Sequence, residues 1–380
     1  MPHILLESDV DIILDTQFNF IATSSYDQKI GVSLDNKEFL LTKIKKDSNT
    51  LIKLDNATRL TPVSLMKKAL KNFAEKSSKK ILFSNIESKY NKVEPTKQYL
   101  KDINYFANEF NTTKEICIEV GFGSGVHLIH QAKNNPDKIY IGLEIHYPSI
   151  EQVLKQCKLQ NITNILIINY DARLFLEFLK SNSVSRIFVH FPVPWDKKPH
   201  RRVMSHEFIT ESLRVLRING TLELRTDSIN YYEYNLELLK EFQDYPIAIR
   251  ENEDVDITSK YEARWKKQEK TIWDITIKST KNNDNIELEG DFSFDDCYDI
   301  SKIKDNLNTT PIIKNDFLVH FETIYSMDDR LLLKVTLGSF NKPVTKYIIV
   351  AYDNARYFSS NPIKTRSNLN AHNLIKELLK

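Results

Sequence analysis

Between about residues 114 and 278, short apolar runs alternate with helical patterns, and this alternation limits the possible folds more than any other feature of the chain. Glu115–Val120, Ile139–Glu144, Ile165–Asn169, Arg186–His190 and Gly220–Thr226 read as strands. Each is followed by a segment with helical spacing: Ser124–Ala132, Pro148–Leu159, Arg173–Leu179, Phe208–Leu216 and Tyr231–Phe242. Strands joined through helices by short connections form parallel pairs, so the expected class is α/β with a doubly wound, mainly parallel sheet. Such sheets bind ligands beyond the C-terminal strand ends.

Both flanks read as β-rich. In the first, Phe18 and Phe20 alternate with polar residues, and Asp35-Asn36 separates Ile30–Leu34 from Phe39–Ile44 as a hairpin does. Thr61-Pro62 marks a helix start, with Leu65, Ala69 and Phe73 on one face and Lys67, Lys68, Lys71, Lys76, Lys79 and Lys80 on the other. That basic face is either a solvated surface or a contact for phosphates. Near the C-terminus, Phe317–Tyr325, Leu331–Leu337 and Tyr347–Tyr352 read as strands and Ala371–Leu379 as a helix. The expected organisation is a β-rich zone at 1–60, a basic helical connector at 61–110, an α/β domain at 111–280 and a β-rich zone at 281–380 that packs with the first into an accessory domain.

Lys plus Arg number 53 and Asp plus Glu 51, a net charge of +2, so any nucleic-acid surface must be local. Three widely spaced cysteines, Cys117, Cys157 and Cys297, lack a metal-binding or redox spacing and read as buried or half-buried thiols in a reducing compartment. With no apolar stretch near 18 residues and no secretory leader pattern, the expectation is a cytoplasmic protein without membrane or metal.

Glycine is scarce, 8 in 380 residues against an average of about 7%. Three fall together in Glu119-Val120-Gly121-Phe122-Gly123-Ser124-Gly125, between a strand and a helix. The spacing GxGxG differs from the dinucleotide fingerprint GxGxxG, whose third glycine would fall at Val126, and no P-loop Lys-Ser or Lys-Thr follows. Carboxylates stand at three successive strand ends, Glu119, Glu144 and Asp171. A carboxylate at the second suits a ribose diol, and the three together would repel a pyrophosphate but attract a cation. Electrostatics therefore favour S-adenosylmethionine, which carries an ammonium and a sulfonium.

After the fourth strand comes Phe191-Pro192-Val193-Pro194-Trp195-Asp196-Lys197-Lys198-Pro199-His200-Arg201-Arg202, which combines a rigid turn, a stacking ring and five basic residues. Together with Glu119–Gly125, Gly142–Pro148, Arg225-Thr226-Asp227 and Ser259-Lys260-Tyr261-Glu262-Ala263-Arg264, this loop resembles the bacterial tRNA (guanine-N7-)-methyltransferases over about 110–278. The resemblance implies methyl transfer from S-adenosylmethionine to a guanine in the tRNA variable loop. By position, Glu119, Gly121, Gly123, Gly125, Glu144 and Asp171 fall at the donor site, and Trp195, Lys197, Asp227, Ser259, Lys260, Tyr261, Glu262 and Arg264 on the tRNA side.

Val193 stands where the family carries an acid, which leaves Asp227 and Glu262 as the catalytic candidates. Guanine N7 has a free lone pair and no proton to lose, so alignment matters more than a general base. Asp227 has an alternative reading as a helix cap, and His146 and His200 as scaffold groups. A methyltransferase acting on another RNA or a small molecule, and a non-catalytic RNA-binding protein with a retained donor fold, remain as rival readings.

Overall fold

The computed structural model describes residues 2–60, 63–86, 98–253, 271–294, 297–340 and 342–380. Two compact units divide the chain, Met1–Lys92 with Leu288–Lys380, and Val93–Glu287.

The first unit opens with strands β1 (His3–Leu6), β2 (Phe18–Thr23), β3 (Gln28–Leu34), β4 (Lys37–Lys46) and β5 (Asn49–Leu54), then helix α1 (Ser64–Ser77) and β6 (Ile81–Ser84). Leu34 pairs with Lys37 across a two-residue turn in which Asp35 and Asn36 have φ of 50° and 58°. Both fall in the left-handed region that a type I′ hairpin turn requires, the conformation Asp and Asn tolerate best after glycine.

Helix α1 buries Met66, Ala69, Leu70 and Phe73 against Ile4, Phe18 and Ile30, so this part of the expected connector instead covers the first unit's sheet. Its expected start at Thr61-Pro62 lies outside the described residues. The helix stops at Ser77 because Ser78 turns left-handed and its N–H bonds the Glu75 carbonyl, which leaves Lys79 and Lys80 beyond the helix. Lys76 is paired with Asp15, so the basic face is in part neutralised.

The second unit contains β7 (Leu100–Lys101), α2 (Ile103–Asn108), β8 (Ile116–Val120), α3 (Val126–Asn134), β9 (Ile139–Leu143), α4 (Tyr147–Leu159) and β10 (Ile165–Ile168). It continues with α5 (Ala172–Phe175), β11 (Val184–His190), α6 (His206–Val215), β12 (Leu216–Thr226), α7 (Ile229–Leu238), β13 (Ile247–Glu251) and β14 (Trp273–Lys278). The sheet order is β13-β14-β12-β11-β8-β9-β10-β7. Strands β7 to β12 run parallel, while β14 lies antiparallel to both neighbours, β12 and β13.

Every residue of β8 is buried, as a central parallel strand covered on both faces must be. Ile116, Ile118 and Val120 join the core that holds α5, α6 and α7, and Cys117 the one that holds α3 and α4. With β9 on one side of β8 and β11 on the other, the strand order reverses at β8, and a crevice opens there at the C-terminal ends. Strand β12 begins at Leu216, four residues before the expected Gly220, because Leu216 pairs with Val184 ahead of a register shift.

The chain then returns to the first unit with α8 (Ile300–Asn306), β15 (Ile312–Ile313), β16 (Leu318–Ser326), β17 (Leu331–Gly338), β18 (Val344–Val350), β19 (Ala355–Tyr357) and α9 (Arg366–Leu378). Strand β16 meets β2 at Ser326 and Thr23, joining strands from both chain ends in one sheet of order β19-β18-β17-β16-β2-β3-β4-β5-β1-β6, with β15 on β16. Of the three thiols, Cys117 and Cys157 are buried, whereas Cys297 is exposed, contrary to the expectation of burial.

Within the first unit the buried Asp55 carboxylate joins the two ends: it accepts from Lys29 Nζ at 3.2 Å and from the Tyr347 hydroxyl at 2.8 Å. Asp55→Ala takes this acceptor from the Tyr347 hydroxyl and from the Ala57 and Thr58 N–H groups, leaves Lys29 with Asp27 at 3.1 Å, and is expected to cost about 3 kcal/mol. Urea unfolding followed by circular dichroism checks this, with an earlier transition as the expected outcome.

Candidate active site

Gly121, Gly123 and Gly125 all have positive φ, at 69°, 51° and 71°. A side chain on Gly121 would meet nothing within 4 Å, and one on Gly123 only the Gly121 carbonyl at 4.0 Å, so the space over this stretch is open to a ligand approaching the backbone. Gly125 has another task. A Cβ there would sit 2.2 Å from Val153 Cγ2, so its absence lets α3 start close against α4.

The loop is held by Glu144, 9% exposed just past β9. Its Oε2 accepts the Gly123 N–H at 3.0 Å, and its Oε1 accepts the Ile145 and His146 N–H groups at 2.8 and 2.9 Å. A carboxylate offers about four lone pairs, so one remains on Oε2 for a ribose hydroxyl, fewer than a diol could use. Asn169, which sequence reasoning missed, donates to the Glu144 and Ile145 carbonyls at 2.8 and 3.1 Å and pins the same turn. Beside it Ile145 is 75% exposed, an apolar face at a strand end against which a purine could lie.

Glu119, 4% exposed, has its carboxylate 2.8 Å from His127 Nδ1 on α3. The His127 ring centroid lies 4.6 Å from that of His190, at the end of β11. Neither histidine stands out in the sequence; the available signal was His190 at the C-terminal end of a predicted strand, where sheets of this kind bind ligands. His190 is half-buried, and loss of hydration, followed by the nearby His127 and Arg225, pushes its pKa well below the usual histidine range.

Asp171 follows β10 and caps α5. Its two oxygens take a bidentate pair from Arg173, Nε at 3.0 Å and NH2 at 2.7 Å, while Arg173 NH1 reaches the His200 carbonyl at 3.1 Å. The third strand-end acid is therefore tied to the loop after β11. His146 Nδ1 sits 3.0 Å from the Ser149 hydroxyl, as a scaffold group does.

In that loop Phe191 and Trp195 have positive φ, 49° and 46°, a conformation non-glycine residues adopt only when neighbours hold them there. Phe191 N–H donates to the Arg225 carbonyl at 2.7 Å, and buried Arg202 donates from Nε to the Pro194 carbonyl at 2.8 Å while lying 4.3 Å over Tyr234. Arg201 lies 5.1 Å over one face of Trp195. Val193 is 59% exposed, and Lys197 is exposed. Asp227 follows β12, but Ser228 caps α7 by accepting from Tyr231 N, which removes the cap reading of Asp227. Ser259, Lys260, Tyr261, Glu262, Arg264 and Trp265 lie outside the described residues. Among the described residues no group of three or more His, Cys, Asp or Glu could hold a metal, and no helix is long and apolar enough to cross a membrane.

Two outcomes follow from this geometry. Gly121→Asn, a residue that tolerates a φ of 69°, places a side chain in the open space over the loop and is expected to weaken S-adenosylmethionine binding on the order of tenfold or more by calorimetry, with the fold retained by circular dichroism. His190, depressed when folded and near 6.5 when unfolded, binds fewer protons in the native state at acid pH. Its contribution is full above about pH 6.5 and lost as pH falls, by up to about 1.4 kcal/mol per pH unit. His190→Asn should flatten the fall in urea midpoint between pH 7 and 5.

A family model described as "Putative methyltransferase" matches residues 113–275. A tRNA (guanine-N(7)-)-methyltransferase of Wolinella succinogenes is 41% identical over 360 residues, 93% of this chain and 91% of that one. One from Campylobacter jejuni is 40% identical over 96% of this chain and 94% of its own, and one from Helicobacter hepaticus 38% over 92% and 90%. An antibiotic-related methyltransferase of known structure, 16% identical, covers 46% of this chain and 91% of its own at a TM-score of 0.35. The likeness to the sequence relatives thus extends well past the 110–278 stretch into both flanks. At this identity over nearly the whole length, the chain belongs to the tRNA (guanine-N7-)-methyltransferase family.

Proposed function

We propose that the protein methylates N7 of a guanine in the variable loop of folded tRNA, with S-adenosylmethionine as donor, in the cytoplasm. The observation that carries this reading is the open Gly121–Gly123 stretch at the strand-order reversal, held by Glu144 and flanked by Glu119, in a chain of this family.

The residues fit such a donor. Its positive charge matches the acids at the ends of β8 and β9, the free lone pair of Glu144 takes one ribose hydroxyl, and Ile145 offers an apolar face to the adenine. When bound, the donor supplies an electrophilic methyl group on a sulfonium. Held by Glu119, Glu144 and the Gly121–Gly123 backbone, the donor would supply its methyl group to the guanine N7 lone pair, a displacement in which sulfur would leave as a neutral thioether, positive charge would pass to the purine and no proton would be lost.

The chain's task is then extraction and alignment of the base. Lifting a guanine from its stack costs a few kcal/mol, which stacking on the half-buried Trp195 ring offsets. Lys197 meets the phosphate backbone, and Asp227 accepts from the guanine N1–H and amine or offsets the developing purine charge. Glu262 shares the second of these roles, and Ser259, Lys260, Tyr261 and Arg264 contact tRNA. Exposed Val193 at the position of the family acid is compatible with a displacement that needs no base. The first unit, an accessory domain with part of the Lys67–Lys80 surface, enlarges the RNA footprint.

The test is purified full-length protein with methyl-labelled donor and tRNA, followed by digestion to nucleosides. Label in 7-methylguanosine is expected. Lys197→Ala and Asp227→Ala should each cut turnover on the order of tenfold or more, the effect of losing one charged hydrogen bond, with donor affinity unchanged. Label in another nucleoside, or undiminished turnover in the variants, contradicts the reading.

A further inference from the structure

The Glu119 carboxylate does not stand alone at the end of β8. His127 Nδ1 lies 2.8 Å from its Oε2, and Gln131 Nε2, one helical turn further along α3, lies 3.3 Å from His127 Nε2. A carboxylate only accepts, so the His127 nitrogen that faces Glu119, Nδ1, carries a proton, and with the Gln131 amide nitrogen turned toward the ring Nε2 is the acceptor. The ring is confined on the β11 side by Phe188 edge-on at 4.8 Å and by His190 at 4.6 Å. Glu119 comes from β8, His127 and Gln131 from α3, Phe188 and His190 from β11. The charged groups around His190 are Arg225, itself paired with Asp274, and Arg186, which is committed to Glu223 at 2.8 Å and lies 4.7 Å over Phe188.

We propose that His127 is a positioning residue for the methyl donor: in its Nδ1–H tautomer, fixed by Gln131 and braced by His190, it aims the Glu119 carboxylate without cancelling its negative charge. An imidazolium in the same place would orient the carboxylate equally well but leave the pair neutral toward a cationic ligand. The Nδ1–H tautomer provides orientation and keeps the full charge for the donor's ammonium. Depression of the His190 pKa, with loss of hydration as its largest cause, likewise keeps positive charge out of the same corner. The proposal rests on Glu119 belonging to the donor site.

The test combines calorimetric titration of S-adenosylmethionine into the full chain with nitrogen-15 spectra of its histidines. His127→Ala is expected to weaken donor binding on the order of tenfold, measured at a temperature where circular dichroism shows the variant folded. His127→Asn, whose side-chain amide can take the place of Nδ1–H, should restore affinity to within about threefold. In a Glu119→Gln background His127→Ala should cause no further loss, because the charge it aims is gone.

The spectra should show His127 protonated at Nδ1, with a free lone pair at Nε2. An imidazolium signature at neutral pH, wild-type affinity in His127→Ala, failure of His127→Asn to restore binding in a natively melting protein, or additive losses in the double variant would each overturn the proposal. Absence of donor binding in the unaltered protein would instead overturn the function proposed above, since the tautomer is read without donor.

Discussion

Three backbone N–H groups converge on one carboxylate, Glu144, and the candidate site depends on that convergence. Through Gly123 it ties the loop after β8 to the end of β9, and through Ile145 and His146 it fixes the turn into α4. Without the carboxylate those donors would lose their protein acceptor, and the loop would keep the Gly121 N–H bond to the Leu143 carbonyl and the Gly125 N–H bond to the Phe122 carbonyl but lose its tie through Gly123. The scarcity of glycine elsewhere in the chain fits this use. Gly121 and Gly123 keep a space empty, while Gly125 lets two helices meet.

The same economy governs charge. Each strand-end acid has a protein partner before any ligand arrives: Glu119 has His127, Glu144 has the loop backbone, and Asp171 has Arg173. At Glu119 and Glu144 such partners orient the carboxylate and leave its negative charge to the crevice, whereas the Asp171 charge is balanced by the Arg173 guanidinium. Arg173 carries the arrangement further, joining the third acid to the His200 carbonyl and so linking the end of β10 to the loop that bears Trp195 and Lys197.

Much of this was legible in the sequence where it rests on local pattern. Buried parallel strands read as apolar runs, so Glu115–Val120 and Ile139–Glu144 anticipate β8 and β9 within a residue. The Asp35-Asn36 hairpin was legible because its turn conformation is a property of two adjacent residues. Strand β13 was not, since Ile247–Glu251 is an exposed edge strand whose apolar run, Ile247-Ala248-Ile249, is too short to mark a strand by itself. Nor were His127, His190 and Asn169, which meet Glu119, each other and the Glu144 turn across separate elements and leave no trace in spacing. Asp171 was found, but its engagement by Arg173 across two residues needed the geometry of the turn.

The central claim is that N7 of a guanine is the nucleophile and that the protein aligns it rather than deprotonating it. Replacing the guanines of a tRNA transcript with 7-deazaguanosine, which has a C–H where N7 carries its lone pair, tests this most directly. The account predicts methyl transfer to the ordinary transcript and none to the substituted one, with both bound alike. Transfer to the substituted transcript at an undiminished rate would contradict it.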